Sequence, residues 1–136
     1  KYPYGWEVKE FDSESGADIL ISDKESLAFV RIRGFFDPYL DSKSAIDSSI
    51  DEYSRALSIQ NDVVVYTFET IDQGEGAGEF LTSGEFKIND INYSFDEHGW
   101  FSDRGNAIIM RAADKSEFFG SSIGKMNYIM ESFKIE

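Results

Sequence analysis

Cysteine is absent from this chain, which excludes disulfides, thiolate metal sites and cysteine nucleophiles together. Histidine occurs once, as His98, and proline only twice. No apolar run approaches the roughly 20 residues that cross a bilayer as a helix, so the chain carries no transmembrane segment of that kind. Positive charge is also scarce. Against 26 Asp and Glu stand 13 Lys and Arg, a formal net charge of −13. Phosphate backbones and anionic membrane surfaces are repelled by such a surface, so nucleic acid is disfavoured as a partner. The acidity suits solubility, salty surroundings or a basic protein partner.

Aromatic residues are plentiful, with twelve Phe and seven Tyr, and 41% of the chain is apolar. A chain that can bury this much does not stay disordered. Its 136 residues suit one domain spanning the whole chain, residues 1–136. A domain near this size buries about 70% of its unfolded surface and needs no metal or disulfide staple.

Three strands are expected first, at residues 4–8, 17–22 and 27–36. In the third, alternation puts Leu27, Phe29, Arg31, Arg33 and Phe35 on one face, with Val30 and Ile32 on the other. Asp37-Pro38 breaks the pattern, and Asp41 or Ser42 can cap a helix. Ile46, Ile50, Tyr53 and Leu57 then form one helical stripe, opposite Asp47, Asp51 and Glu52, with Asn61 as a stop. Residues 63–71, 79–88, 91–102 and 107–113 read as a meander of strands, and residues 73–78 as a mobile connection. Phe119, Ile123, Met126, Met130 and Phe133 mark a closing helix, with Phe133 as its buried anchor. This order of elements is α+β, helices on an antiparallel sheet.

The stretch "GSSIG" at residues 120–124 fits G-x-S-x-G, the turn that exposes a catalytic serine in some hydrolases. Here a helical stripe runs through it, and no histidine follows Ser122. Ser122 therefore reads as an ordinary helical serine whose loss leaves activity unchanged and barely changes stability. Gly120 and Gly124 share a helix face and are expected to let that helix approach the sheet closely. The "GEGAGEF" run lacks the lysine of a phosphate loop, leads into a strand, and carries repelling Glu75 and Glu79. It reads as a hairpin connection. His98 shares a strand face with Asp96, but two ligands fall short of a zinc set, so it reads as a solvent-facing histidine near a turn. Paired carboxylates of a glycosidase type stay open by inventory alone.

"YPYGWEV" at residues 2–8 resembles the opening YP-x-GW motif of PsbP-like domains. "MESFKI" at residues 130–135 resembles their closing helix, with its Ser-Phe pair at Ser132 and Phe133. The order of elements between them is similar to that family over nearly the whole chain. The strand that usually precedes YP-x-GW is absent. The resemblance implies an α-β-α sandwich around a central antiparallel sheet of six or seven strands. It also implies an exported domain, anchored at the membrane through a segment before Lys1. Family members mostly bind proteins, some bind metal ions, and they share no catalytic residue set.

The expectation that follows is a non-catalytic, extracytoplasmic binding or scaffolding domain without a cofactor. Its partner is a protein with a basic surface, met by the acids Asp72, Glu75 and Glu79 around the Gly-rich connection. A metal-ion-binding module using acidic residues and an enzyme with an unrecognised carboxylate site remain alternatives.

Overall fold

A computed structural model describes residues 5–11, 16–72 and 76–132. Seven strands and two helices follow one another as β1 (Trp6–Phe11), β2 (Gly16–Asp23), β3 (Phe29–Phe36), α1 (Lys43–Ser58), β4 (Val63–Asp72), β5 (Ala77–Ile88), β6 (Ile91–Ser102), β7 (Asn106–Lys115) and α2 (Ser116–Glu131). The strands make a single sheet in the order β1-β2-β3-β7-β6-β5-β4, and each neighbouring pair is antiparallel. The expected α+β architecture and strand count are therefore what the chain adopts. Asn89 and Asp90, both at positive φ, turn β5 into β6, which is the conformation a tight hairpin needs.

The two helices lie on opposite faces. Ser42 caps α1, its hydroxyl accepting from the Ala45 amide at 3.2 Å. The helix lays Ile46, Ile50 and Leu57 against β4 and β5. Gly78 lets it come close, because a Cβ there would meet Ile46 Cγ2 at 2.4 Å. The fully buried Phe80 ring fills the space over Gly99 and stacks against Phe68. On the other face, α2 packs Met126, Ile129 and Met130 onto β7, β6 and β3, over Val30, Ile32, Met110 and Ala112.

Two expectations for α2 change here. Gly120 and Gly124 are exposed, and a Cβ on either would meet nothing within 4 Å. The buried stripe is carried by Met126, Ile129 and Met130, which turns both glycines to solvent, so they mediate no close approach. Ser122 does lie within the helix, but it is not idle. Its hydroxyl donates to Asp114, a carboxylate only 1% exposed at the end of β7, at 2.5 Å. Phe133 lies outside the described residues.

Candidate functional site: an arginine-lined groove beside helix α1

Because α1 sits on the β4–β5 half of the sheet, its face of β2 and β3 is left uncovered by a helix. The residues of β3 on that face are the expected set Phe29, Arg31, Arg33 and Phe35. A groove follows them. One end, about 540 Å³, is lined by Ala17, Phe35, Ala56, Phe101 and Ile109 among others. The other end, about 370 Å³, is lined by Phe29, Arg31, Leu57, Val63, Phe86 and Arg111, with Lys87 and Asp62 also in its wall. Both fall within the size range of small-ligand sites. Arg33 and Tyr53 line both ends and divide them, the Arg33 Nη2 donating to the Tyr53 hydroxyl at 3.4 Å.

Beneath this bridge lies a buried charge. Glu97 has a side chain 0% exposed in the middle of β6. Burying a carboxylate is costly unless it is paired and hydrogen-bonded. Here Arg111 Nε donates to Oε2 at 2.8 Å, the Tyr53 hydroxyl donates to Oε1, and Arg33 Nη2 stands 3.7 Å from Oε2. The Arg111 guanidinium also lies over the Phe95 ring, 4.2 Å from its centroid, a favourable cation–π placement. Burial, then the charge of Glu97, pushes the Tyr53 phenol well above its ordinary range. On the outer side, Arg31 grips Asp18 with two bonds of 3.0 and 2.7 Å. That hydrogen-bonded guanidinium holds the Asp18 carboxyl below its usual value.

In register, Arg31 of β3 stands directly opposite Arg111 of β7, which in turn stands opposite Glu97 of β6. Like charges placed across a strand pair repel. Asp18 and Glu97 are what make the pair tolerable.

Of the acids expected at the Gly-rich connection, Glu79 is the one whose side chain is described. Glu75 lies outside the described residues, and Asp72 is the last residue of β4, opposite Gly78. Glu79 belongs to β5. Alternation sends Gly78 and Phe80 to α1, so the Glu79 carboxylate goes to the opposite face, where it meets His98. His98 is thus not a solvent-facing residue near a turn. It sits mid-strand, stacked on Trp100 with ring centroids 3.7 Å apart. Asp96 shares its face, and burial raises the Asp96 carboxyl above the usual value. Among the described residues, no group of three or more His, Asp or Glu converges to hold a metal ion. On α1, Asp47 and Asp51 are exposed but lie 3.5 and 3.3 Å from Lys43 and Arg55, one turn away.

The sequence reading named none of Arg31, Arg33, Tyr53, Glu97 or Arg111 as site residues. The available signal was polarity in the wrong place. Arg31 and Arg33 share an otherwise apolar strand face, and Tyr53 interrupts an aliphatic helix stripe.

No family model matches the sequence, and no curated protein matches it. Solved structures do. The chain superposes on the cyanobacterial PsbP, CyanoP, of Synechocystis sp. PCC 6803 with a TM-score of 0.68 and 14% identity, covering 99% of this chain and 84% of that one. PA94 of Pseudomonas aeruginosa matches with a TM-score of 0.59 and 10% identity over 96% of this chain and 84% of that one. LpqN of Mycobacterium tuberculosis matches with a TM-score of 0.54 and 11% identity over 93% of this chain and 76% of that one. The fold is thus the one found in CyanoP, the PsbP-like arrangement that the opening and closing sequence motifs resemble.

Proposed function

We propose that the chain is a non-catalytic binding domain that works outside the cytoplasm, and that it engages a protein partner through the groove along β3. The observation that carries this reading is the uncovered half-face of the sheet, where Arg31, Arg33 and Arg111 meet apolar walls. An open concave surface with a few fixed polar groups is the usual form of a binding site. The charged residues beneath the groove are committed to one another, and their pairing supports holding a surface in shape rather than turning over a substrate. The extracytoplasmic location is supported by likeness of fold to LpqN, a protein involved in cell envelope biogenesis.

The expected basic partner for the acidic surface is the weaker reading. Asp47 and Asp51 are already partnered along α1, and Glu79 is turned to His98. Exposed pairs of this kind contribute about 0–1 kcal/mol, and each of these helix acids has a cation one turn away that offsets its charge. The test is cross-linked capture from the native source, with cell fractionation to locate the protein. Arg33→Glu is expected to abolish capture of a specific partner, while Asp47→Lys with Asp51→Lys leaves it intact. The reverse pattern would return the binding surface to the acids, and a cytoplasmic fraction would overturn the location.

A further inference from the structure

The end of the groove that holds Arg31 and Arg111 carries an unbalanced charge, and its sign is opposite to that of the molecule. Arg31, Arg33 and Arg111 line it, and among the described residues two carboxylates reach them, Asp18 and Glu97. Lys87 and Asp62 offset each other in the wall, and Glu52 belongs to the end beyond the Arg33–Tyr53 bridge. At this end one positive charge is therefore left over, in a chain of net −13. It falls on Arg33. The Arg33 side chain is 41% exposed, and its contact with Glu97, at 3.7 Å, is too long for a hydrogen bond. Arg31 has its carboxylate in a two-bond grip, and Arg111 donates Nε to Glu97. Of the three, Arg33 is the guanidinium with no hydrogen-bonded carboxylate among the described residues, beside a like-charged row formed by Arg31 and Arg111.

Resting on the reading above that the groove is where a partner docks, we infer that the partner enters it with a carboxylate flanked by apolar side chains, an acidic peptide segment seated on Arg33 between Phe29, Leu57, Val63 and Phe86. A planar guanidinium fork matches a carboxylate with two parallel bonds. A single excess charge is balanced by one carboxylate, whereas a phosphate brings close to two. Apolar walls need an apolar body to cover them, which inorganic anions lack. The same feature explains how a strongly acidic domain can receive an acidic ligand. The groove's three arginines offset the repulsion of the remaining surface at short range, where screening by salt is least effective.

The experiment is a nuclear magnetic resonance titration of the whole domain with two probes, acetyl-Phe-Glu-Leu-amide and acetyl-Phe-Gln-Leu-amide, followed by inorganic phosphate. The Glu peptide is expected to shift the side-chain Nε–H of Arg33 and the backbone amides of Arg31 and Tyr53. It should bind about 10- to 100-fold more tightly than the Gln peptide, the range that one charge-assisted hydrogen-bonded pair supplies. Arg33→Gln should erase the difference, and Arg33→Lys should keep part of it. Equal affinity of the two peptides, absence of shifts at millimolar peptide, or tighter binding of phosphate on the same resonances would each overturn the inference. These outcomes are separate from failure of the docking reading. If Arg33→Glu abolishes partner capture while the two peptides bind alike, the groove docks a partner by other chemistry. If capture ignores Arg33, the docking reading itself falls.

Discussion

The Tyr53 hydroxyl, carried on the inner side of α1, donates to the carboxylate of Glu97, buried in the centre of β6. This contact ties the helix to the sheet at the floor of the groove. It also ties stability to pH. The phenol is raised in the folded state by burial and by the neighbouring charge. Between the ordinary phenol value of 10.0 and the raised one, the folded chain holds a proton that the unfolded chain releases. Stability present below pH 10.0 is therefore lost as the pH rises through that window. Tyr53→Phe should flatten this alkaline limb, measured by urea unfolding across it. At neutral pH the variant should cost about 1–3 kcal/mol, because a buried carboxylate loses a donor. An unchanged alkaline slope would mean that the phenol is not buried against Glu97 in the folded chain.

Ser122 and Asp114 form a second such pair, on the opposite face. Asp114 accepts from Ser122 and from the Lys115 amide, and both contacts keep a buried carboxylate satisfied just before α2 begins. Ser122→Ala should destabilise by about 1–3 kcal/mol rather than being silent. Asp114→Asn with Ser122→Ala together should cost less than the sum of the two single changes, since the residues act as a unit. Additive costs in a thermal or urea unfolding series would sink this account.

Gly120 and Gly124 should respond in the opposite sense. Both lie inside α2, at its solvent side, with open space where a Cβ would go. Each Gly→Ala change should stabilise by about 0.4–1 kcal/mol by restricting the unfolded chain. A loss of stability would mean that this surface is covered in the native molecule, and solution-state oligomerisation would then be the measurement to make.

Most of the fold was legible in the sequence because it rests on period. The stripe Ile46, Ile50, Tyr53 and Leu57 is the inner face of α1, and the alternation of β3 put the right residues on each side. The closing helix was legible too, but its glycines were misassigned, since two residues four apart share a face without revealing which face it is. The groove was legible least. Its formation depends on where α1 comes to rest, and that is decided by Gly78 and by Phe80 over Gly99, contacts between elements distant in sequence. His98 was misplaced for a related reason. Its partner Glu79 is brought to it by the β5–β6 register, which pairs Leu81 with His98 and Glu79 with Trp100.

Two carboxylates of the sheet should pull the acid limb of the stability curve in opposite directions. Asp18 is depressed, first by the Arg31 hydrogen bond. Its contribution is present above the ordinary value of 3.8 and is lost as the pH falls through the depressed one. Asp96 is raised by burial alone. From 3.8 up to its raised value, the folded state holds a proton that the unfolded state gives up, so its contribution falls as the pH rises through that window. Asp18→Asn should therefore lower stability at neutral pH and leave it nearly unchanged in strong acid. Asp96→Asn should raise stability at neutral pH and lose that advantage in acid. Arg31 is 46% exposed and Asp96 is only part-buried, so each effect should stay below about 1 kcal/mol. Urea unfolding of the two variants between about pH 3 and pH 7 reads both signs in one series. If both variants shift the curve the same way, the Asp18–Arg31 pair is not formed in solution, and the outer wall of the groove is looser than the two short hydrogen bonds imply.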